Sequence, residues 1–273
     1  MKASFFDYKC AATLAEASAL LAGNGGHAKV IAGGQTLGPM LNLRLAQPAL
    51  VVDVTRIPEM IEVKETKGEV IYGACVTHAN FEDGRVPDSA DGFLARVAKG
   101  IAYRAVRTRG TLGGSIAHAD PAADWISSLL ALDSEVDIHT EGGNRRVPLR
   151  QFFRGPLSPN LHTGELLTAI RIQKPAAQDR FGYAKMCRKT GEFAEAIGVV
   201  RRYSNGTKVR FVAGGGDRVP IVIDDGADLI SGRRIGKEEL GACLLERGLA
   251  SDPYTQAIHI TALQRALNES WSV

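Results

Sequence analysis

The chain has 273 residues, 45% of them hydrophobic, with 30 glycines, 11 prolines, 4 cysteines and a formal net charge of +3 from 33 basic and 30 acidic side chains. At about 100–200 residues per domain, this length fits one large or two modest domains whose core needs no disulfide or metal staple. The balance excludes disordered, collagen-like and disulfide-scaffold proteins.

Thr13 is placed to cap a helix through Leu14, Ala17, Leu20 and Leu21 that ends at Gly23. Lys29–Ala32 reads as a short strand leading into Gly33-Gly34-Gln35-Thr36, and Pro39–Leu45 as one or two helical turns with proline tolerated at the start. The nearly continuous apolar run Ala49–Val54 suits a strand buried on both faces. Gly68–Thr77 predicts another strand, and Ser89–Lys99 a helix closed by Gly100. A second glycine turn, Thr111–Ser115, precedes a helix signal with Asp120 as cap and Pro121 as first residue of a helix running through Ala122 to Leu132. Strands Glu135–His139 and Arg146–Leu149 flank a hairpin turn at Glu141–Asn144, and a strand at Glu165–Ile172 follows. The spacer Pro175–Asp179 marks a domain boundary, expected at 176/177. Beyond it, Phe181–Met186 and the hairpin Ala196–Tyr203, Ser204-Asn205-Gly206, Thr207–Ala213 predict a small antiparallel sheet, followed by helices at Lys237–Glu246 and Tyr254–Leu267. Sheet followed by helices is an α+β layout.

Asp7 interrupts the N-terminal apolar residues before any signal-peptide core, and no run of about 18 apolar residues occurs, so no transmembrane segment and a cytoplasmic location are expected. Cys10, Cys75, Cys187 and Cys243 are widely spaced with no C-x-x-C pair for zinc or an iron–sulfur cluster, and are expected to be reduced, buried thiols. Any redox centre in this chain is therefore an organic cofactor. The six histidines show neither H-x-x-x-H nor H-E-x-x-H spacing, and no Ser/His/Asp or Cys/His set is visible, so neither a metal site nor catalytic residues are expected. Positive charge concentrates in Arg96–Arg109, with five basic residues and no acid, and in Arg180–Arg210, with eight basic and two acidic residues. Without interleaved aromatics or a nucleic-acid motif, these tracts do not point to nucleic acid; a solvated basic face is the simplest reading of each.

Gly23-Asn24-Gly25-Gly26-His27-Ala28 satisfies the dinucleotide pattern G-x-G-x-x-[G/A] but follows a helix and enters a strand, the reverse of the Rossmann context. Gly33-Gly34-Gln35-Thr36 and Gly113-Gly114-Ser115 are more informative. Each follows an apolar segment, offers consecutive amides free of Cβ obstruction, and adds a hydroxyl. Such turns form nests that hold anions, and two together could grip a dinucleotide pyrophosphate.

The surrounding residues carry a resemblance. Ala32-Gly33-Gly34-Gln35-Thr36-Leu37, with Leu43-Arg44-Leu45-Ala46-Gln47-Pro48 and Leu50-Val51-Val52-Asp53-Val54, resembles the first FAD-binding segment of the medium subunits of molybdenum hydroxylases, the flavin subunits of carbon monoxide dehydrogenase, xanthine dehydrogenase and their relatives. Arg107 through Asp124, reading RTRGTLGGSIAHADPAAD, resembles the second and more specific segment, and the likeness continues through Tyr183-Ala184-Lys185 and Gly191–Ala194 over essentially the whole chain. The resemblance implies a two-part FAD-binding domain of the vanillyl-alcohol-oxidase (PCMH) type over 1–176. A C-terminal α+β domain, a small antiparallel sheet with helices of the carbon monoxide dehydrogenase flavoprotein type, is implied over 177–273. It implies non-covalent FAD, because Gln35 and Thr36 stand where related oxidases attach the flavin to His or Cys. The loops Ala32–Thr36 and Thr111–Ser115, including Thr111, Gly113, Gly114 and Ser115, are implied to donate to the pyrophosphate.

By the same resemblance Asp124 lies on the ribose or adenine side of the cofactor, Leu167 and Lys185 contact the flavin from the far strand and the second domain, and Ile101 helps bury the adenine or ring system. His118 is the one histidine expected near FAD. Read from the residues alone, Ile101 and Leu167 are equally core packing, Asp124 a first-turn helix acid, and Lys185 a surface cation on an edge strand. Asp53 reads either as a ribose ligand or as a strand-end residue. Gly214–Pro220 follows the family's glycine-and-proline turn only loosely.

The function implied is an electron relay. FAD accepts electrons from iron–sulfur clusters and returns them to an external acceptor, in a heterotrimer, or dimer of heterotrimers, with an iron–sulfur small subunit and a molybdopterin large subunit. Molybdopterin and the 2Fe-2S clusters are expected on the partner chains only. A self-sufficient FAD oxidoreductase and a non-catalytic nucleotide-binding module are the alternatives.

Overall fold

The computed structural model describes residues 2–249 and 252–272. Strands β1 (Asp7–Cys10), β2 (Ala28–Ile31) and β3 (Leu50–Asp53) form a parallel sheet in the order β1-β3-β2, with α1 (Leu14–Gly23) and α2 (Leu37–Asn42) in its connections. The central strand β3 buries Leu50, Val51 and Val52, as its unbroken apolar run predicts. Thr13 caps α1 by accepting from the amide of Glu16.

The second sheet is five-stranded and antiparallel where pairing is resolved, in the order β4-β5-β10-β6-β7, from β4 (Val63–Glu65), β5 (Glu69–Gly73), β6 (Glu135–Thr140), β7 (Gly143–Pro148) and β10 (Leu166–Gln173). Between β5 and β6 the chain builds α3 (His78–Glu82), α4 (Phe93–Lys99), α5 (Arg104–Arg107), α6 (Leu112–His118) and α7 (Asp124–Ala131), and between β7 and β10 the small ribbon of β8 (Phe153–Gly155) and β9 (Ser158–Pro159). Helix α7 has every residue buried, because it lies between this domain and the third sheet and has no solvent face.

That third sheet, β11-β12-β13-β14, is antiparallel and is made of β11 (Arg180–Met186), β12 (Ala196–Arg202), β13 (Val209–Gly214) and β14 (Ile221–Ile223). One face joins the core around Trp125 and Leu129 through Ile197, Val199 and Val212. The opposite face packs Val200, Phe211 and Ala213 under α8 (Lys237–Glu246) and α9 (Pro253–Ser270), with the short ribbon of β15 (Ile230–Ser231) and β16 (Arg234–Ile235) leading into α8. The class is α+β.

Several elements begin elsewhere than their sequence signals predict. The helix read from Pro121 begins at Asp124. Ala119 takes a left-handed conformation (φ 56°) that stops α6, and the chain must turn before it can start again. Asp120 accepts the amide of Ala122 (3.0 Å) in that turn instead of capping the helix. The helix read from Ser89 starts at Phe93, after Gly92 at φ 82°, and the strand read to Thr77 ends at Gly73. The second glycine turn is itself the first turn of α6. Of the four free cysteines only Cys75 is buried, and burial pushes its thiol up to about 12; the other three are half-buried.

Candidate cofactor site

The first glycine segment leaves β2 as a loop whose amides find no acceptor among the described residues. Among the described residues the amides of Ala32, Gly33, Gly34, Gln35 and Thr36 donate to no acceptor, whereas the carbonyls of Gly33, Gly34 and Thr36 are engaged by the Gln35 side chain (3.2 Å) and by the amides of Gly38 (2.9 Å) and Met40 (3.2 Å). Gly34 takes φ 71°, a left-handed conformation that glycine adopts without strain. Thr36 sits at the N-cap of α2 without using its side chain as a cap, so its hydroxyl stays free. The loop thus carries five amide donors without an acceptor and one hydroxyl, a donor set suited to an anion such as a pyrophosphate.

The structure brings the two glycine segments together. A Cβ added at Gly33 would overlap the carbonyl oxygen of Arg109, so only glycine permits the first loop to seat on the turn after α5 that leads into the second segment. The second segment differs from the first in how its amides are used. Leu112 donates to Val76 (2.9 Å), Gly113 to Ala74 (2.9 Å), Gly114 to the hydroxyl of its cap Thr111 (3.1 Å), and Ser115 to the Thr111 carbonyl (3.1 Å). Gly113 is required by packing against Ala74, whose own amide donates to the Thr168 carbonyl of β10 (2.8 Å). What this segment can still offer a ligand is its hydroxyl groups at Thr111 and Ser115 and the exposed edge at Gly114.

Behind the junction lies a feature that sequence reading missed. His78 is 95% buried; its Nδ1 accepts the indole N–H of Trp125 (3.0 Å), and its amide donates to Gly110 (2.9 Å). Its ring lies against Gly110, where a Cβ would come within 2.8 Å of Nε2. Burial, with the Arg107 charge adding to it, pushes its pKa down to about 4, so the ring is neutral. Arg107 is held by both oxygens of Glu82 (2.7 and 2.9 Å) and donates to the carbonyls of Ile101 and Ala102, fixing the loop that carries Ile101. An isolated histidine gives no periodic signal, and its partners lie 32 and 47 positions away.

Between α7 and β11 the structure joins Asp124, Tyr183 and Lys185. Lys185 Nζ lies 3.1 Å from the Asp124 carboxylate with side-chain exposures of 10% and 7%, and the Tyr183 hydroxyl donates to the same carboxylate. Burial pushes the Asp124 pKa up while Lys185 and Tyr183 oppose it; Tyr183 is raised well above its usual value by burial and by that carboxylate. Lys185 is thus an interior ion-pair partner and not a surface cation. The Ile101 loop lies beside this triad, since Gly100 is in van der Waals range of Tyr183, and the next aromatic, Tyr103, stacks on Gly191. Leu167 is 5% exposed within the core of the five-stranded sheet, Ile101 packs against that core, and His118 is half-buried at the end of α6. Asp53 is a strand-end residue whose carboxylate is taken by Tyr8 and by the amide and hydroxyl of Thr55.

Residues 4–175 match the family described as the FAD binding domain in molybdopterin dehydrogenase. The chain is 32% identical over 279 residues to the carbon monoxide dehydrogenase medium chain of Hydrogenophaga pseudoflava, covering 98% of this chain and 97% of that one. It is 32% identical over 272 residues to the nicotine 6-hydroxylase medium subunit of Paenarthrobacter nicotinovorans, covering 97% and 93%. A solved carbon monoxide dehydrogenase from Hydrogenophaga pseudoflava, lacking the Mo-pyranopterin moiety of its molybdenum cofactor, superposes with a TM-score of 0.90 at 31% identity over 100% of this chain and 99% of that one. With its amide cradle, its fold and these likenesses taken together, the chain belongs to the family of FAD-binding medium subunits of the molybdenum hydroxylases, oxidoreductases of the carbon monoxide and xanthine dehydrogenase type.

Proposed function

We propose that this chain is the FAD-carrying electron-transfer subunit of a heterotrimeric molybdenum hydroxylase. It takes electrons from iron–sulfur clusters of a small partner chain and passes them to an external acceptor, while molybdopterin on a large partner chain oxidises the organic substrate. The observation that carries this reading is the row of five unpaired amides at Ala32–Thr36 in a chain of this family. FAD, when bound, supplies the exchange between one-electron and two-electron transfer.

The chain's own part is position and electrostatics. Ala32, Gly33, Gly34, Gln35 and Thr36 hold the pyrophosphate without covalent attachment. Thr111 and Ser115 add hydroxyl bonds, and Gly113 and Gly114 hold the second segment close enough for them to reach. Ile101, His118, Leu167 and the Asp124–Lys185 pair border the adenosine and ring portions, with Asp124 fixing Lys185 and presenting it from the second domain. The two units divide at 176/177, and the assembly is a cytoplasmic dimer of heterotrimers. Among the described residues no helix is long and apolar enough to cross a membrane.

The test is purification from the native host with a spectrum and metal analysis. Flavin accompanied by iron, molybdenum and two further chains supports the relay. A flavoprotein running alone and turning over an organic substrate without metals overturns it.

A further inference from the structure

On the third sheet, two arginine pairs stand in adjacent registers and are treated in opposite ways. Arg201 faces Arg210 across β12 and β13, and Arg180 faces Arg202 across β11 and β12. Like charges directly opposite each other destabilise a sheet unless something neutralises them. The first pair, on the face toward α7, is neutralised by Asp179 at 2.8 Å from Arg201 and by Asp133 and Asp224 at 2.5 and 2.6 Å from Arg210.

The second pair, on the face toward α9, has no such relief among the described residues. Arg202 lies 3.1 Å above the Trp271 ring and donates to the Ser270 carbonyl (3.0 Å). Arg233 from the β15–β16 ribbon reaches the same ring at 5.2 Å. Arg180 donates only to the carbonyls of Ala177 and Asp179, both at 3.0 Å. Among the described residues none of the three has a carboxylate within 4.0 Å. Burial, and then the charges of Arg180 and Arg233, lower the Arg202 pKa, an independent sign that the three share one field.

We propose that Arg180, Arg202 and Arg233, floored by the Trp271 indole, form a docking site for an acidic segment of a protein partner. Planar guanidinium groups fork onto carboxylates in two-bonded geometry, and stacking on Trp271 presents the Arg202 edge for that purpose. A protein segment carrying several carboxylates fits better than a ligand with a single charge, because three guanidinium groups from two strands and a ribbon share the site. It also fits better than nucleic acid, which needs an extended basic stripe along a phosphate backbone. Arg180 lies about 17 Å along β11 from Lys185, at about 3.4 Å per residue, so the patch is separate from the cofactor residues. The identity of the partner as another subunit rests on the relay reading; the charge chemistry of the patch does not.

The test titrates the FAD-loaded chain into a fluorescein-labelled octaglutamate peptide and reads anisotropy. Binding is expected to weaken when salt rises from about 20 to about 200 mM, and by about tenfold or more in Arg180→Gln/Arg233→Gln. Arg85→Gln and Arg188→Gln, which alter exposed arginines elsewhere, serve as controls and are expected to leave it unchanged. If the double variant folds poorly, Arg233→Gln on the ribbon carries the comparison alone. Equal peptide affinity in the variants, no binding at low salt, or displacement of the peptide by inorganic phosphate or by a short single-stranded DNA overturns the proposal. The flavin absorbance of the same samples reads the cofactor assignment separately, so loss of flavin with peptide binding intact counts against the relay reading and not against the patch.

Discussion

Acidification should destabilise this protein through His78 before the carboxylates that arginines hold low begin to titrate. The folded ring titrates at about 4 and an unfolded histidine at 6.5. Between these values the unfolded chain binds a proton that the folded chain refuses, so stability is complete above about pH 6.5 and falls as the pH drops toward 4. At about 1.4 kcal/mol per pH unit, the loss is about 3 kcal/mol by pH 4 and about 2 kcal/mol by pH 5. Glu82 and Asp224 are held below their ordinary values, chiefly by hydrogen bonds from Arg107 and Arg150, and lose their stabilising effect only below about 4.5 and 3.8. Asp124, whose pKa burial raises, titrates alike in the wild type and in a His78 variant, so the difference between the two proteins isolates His78. His259, also lowered by burial, contributes equally to any His78 variant and cancels in the comparison.

Urea unfolding of the flavin-free chain, followed by tryptophan fluorescence at a series of pH values, measures the effect. The variant His78→Gln keeps an oxygen for the Trp125 indole and removes this titration, so between pH 6.5 and about 5 the wild type should lose about 2 kcal/mol more than the variant. Parallel curves for the two proteins between pH 6.5 and about 5 would refute the reasoning. Because the ring backs Gly110, beside the contact with Gly33, the same protonation should loosen FAD, and flavin release should track the unfolding slope.

Gly113→Ala forces a Cβ into Ala74 and should destabilise by about 1–3 kcal/mol, seen by calorimetry as a Tm lowered by several degrees. Lys185→Met leaves the Asp124 carboxylate buried without its cation and should cost about 3–5 kcal/mol in urea unfolding, most of it recovered in Asp124→Asn/Lys185→Met. Thr36→Val removes a free hydroxyl from the amide cradle and should weaken FAD binding about fivefold, the equivalent of one hydrogen bond of about 1 kcal/mol, by fluorescence titration, with Tm unchanged in the flavin-free chain.

Much of the fold was legible in the sequence because its signals are local. The apolar run of β3 marks a strand with neighbours on both sides, Thr13 caps the helix it precedes, and α8 spans the same residues that its pattern predicts. The first glycine loop was legible for the same reason, since consecutive small residues after a strand leave amides exposed. What escaped depends on contacts distant in sequence. Gly113 looks like a ligand glycine, and only its approach to Ala74 shows that packing claims it and its amide. Asp120 looks like a helix cap, but the left-handed Ala119 displaces the helix start. Asp124 and Lys185, separated by 61 positions, read from the residues alone as a first-turn helix acid and an edge-strand cation, and only the packing of the third sheet against α7 joins them.

The account rests most directly on the Ala32–Thr36 amides as the pyrophosphate cradle, and a comparison of flavins bound by the apoprotein tests it. FAD should bind one to one, with FMN and riboflavin, which lack the pyrophosphate, weaker by about a hundredfold or more. That preference should collapse in Gly33→Ala, whose new methyl group lifts the loop off Arg109, while the circular dichroism stays that of the wild type. FMN binding as tightly as FAD, or full FAD affinity in folded Gly33→Ala, would contradict the central claim.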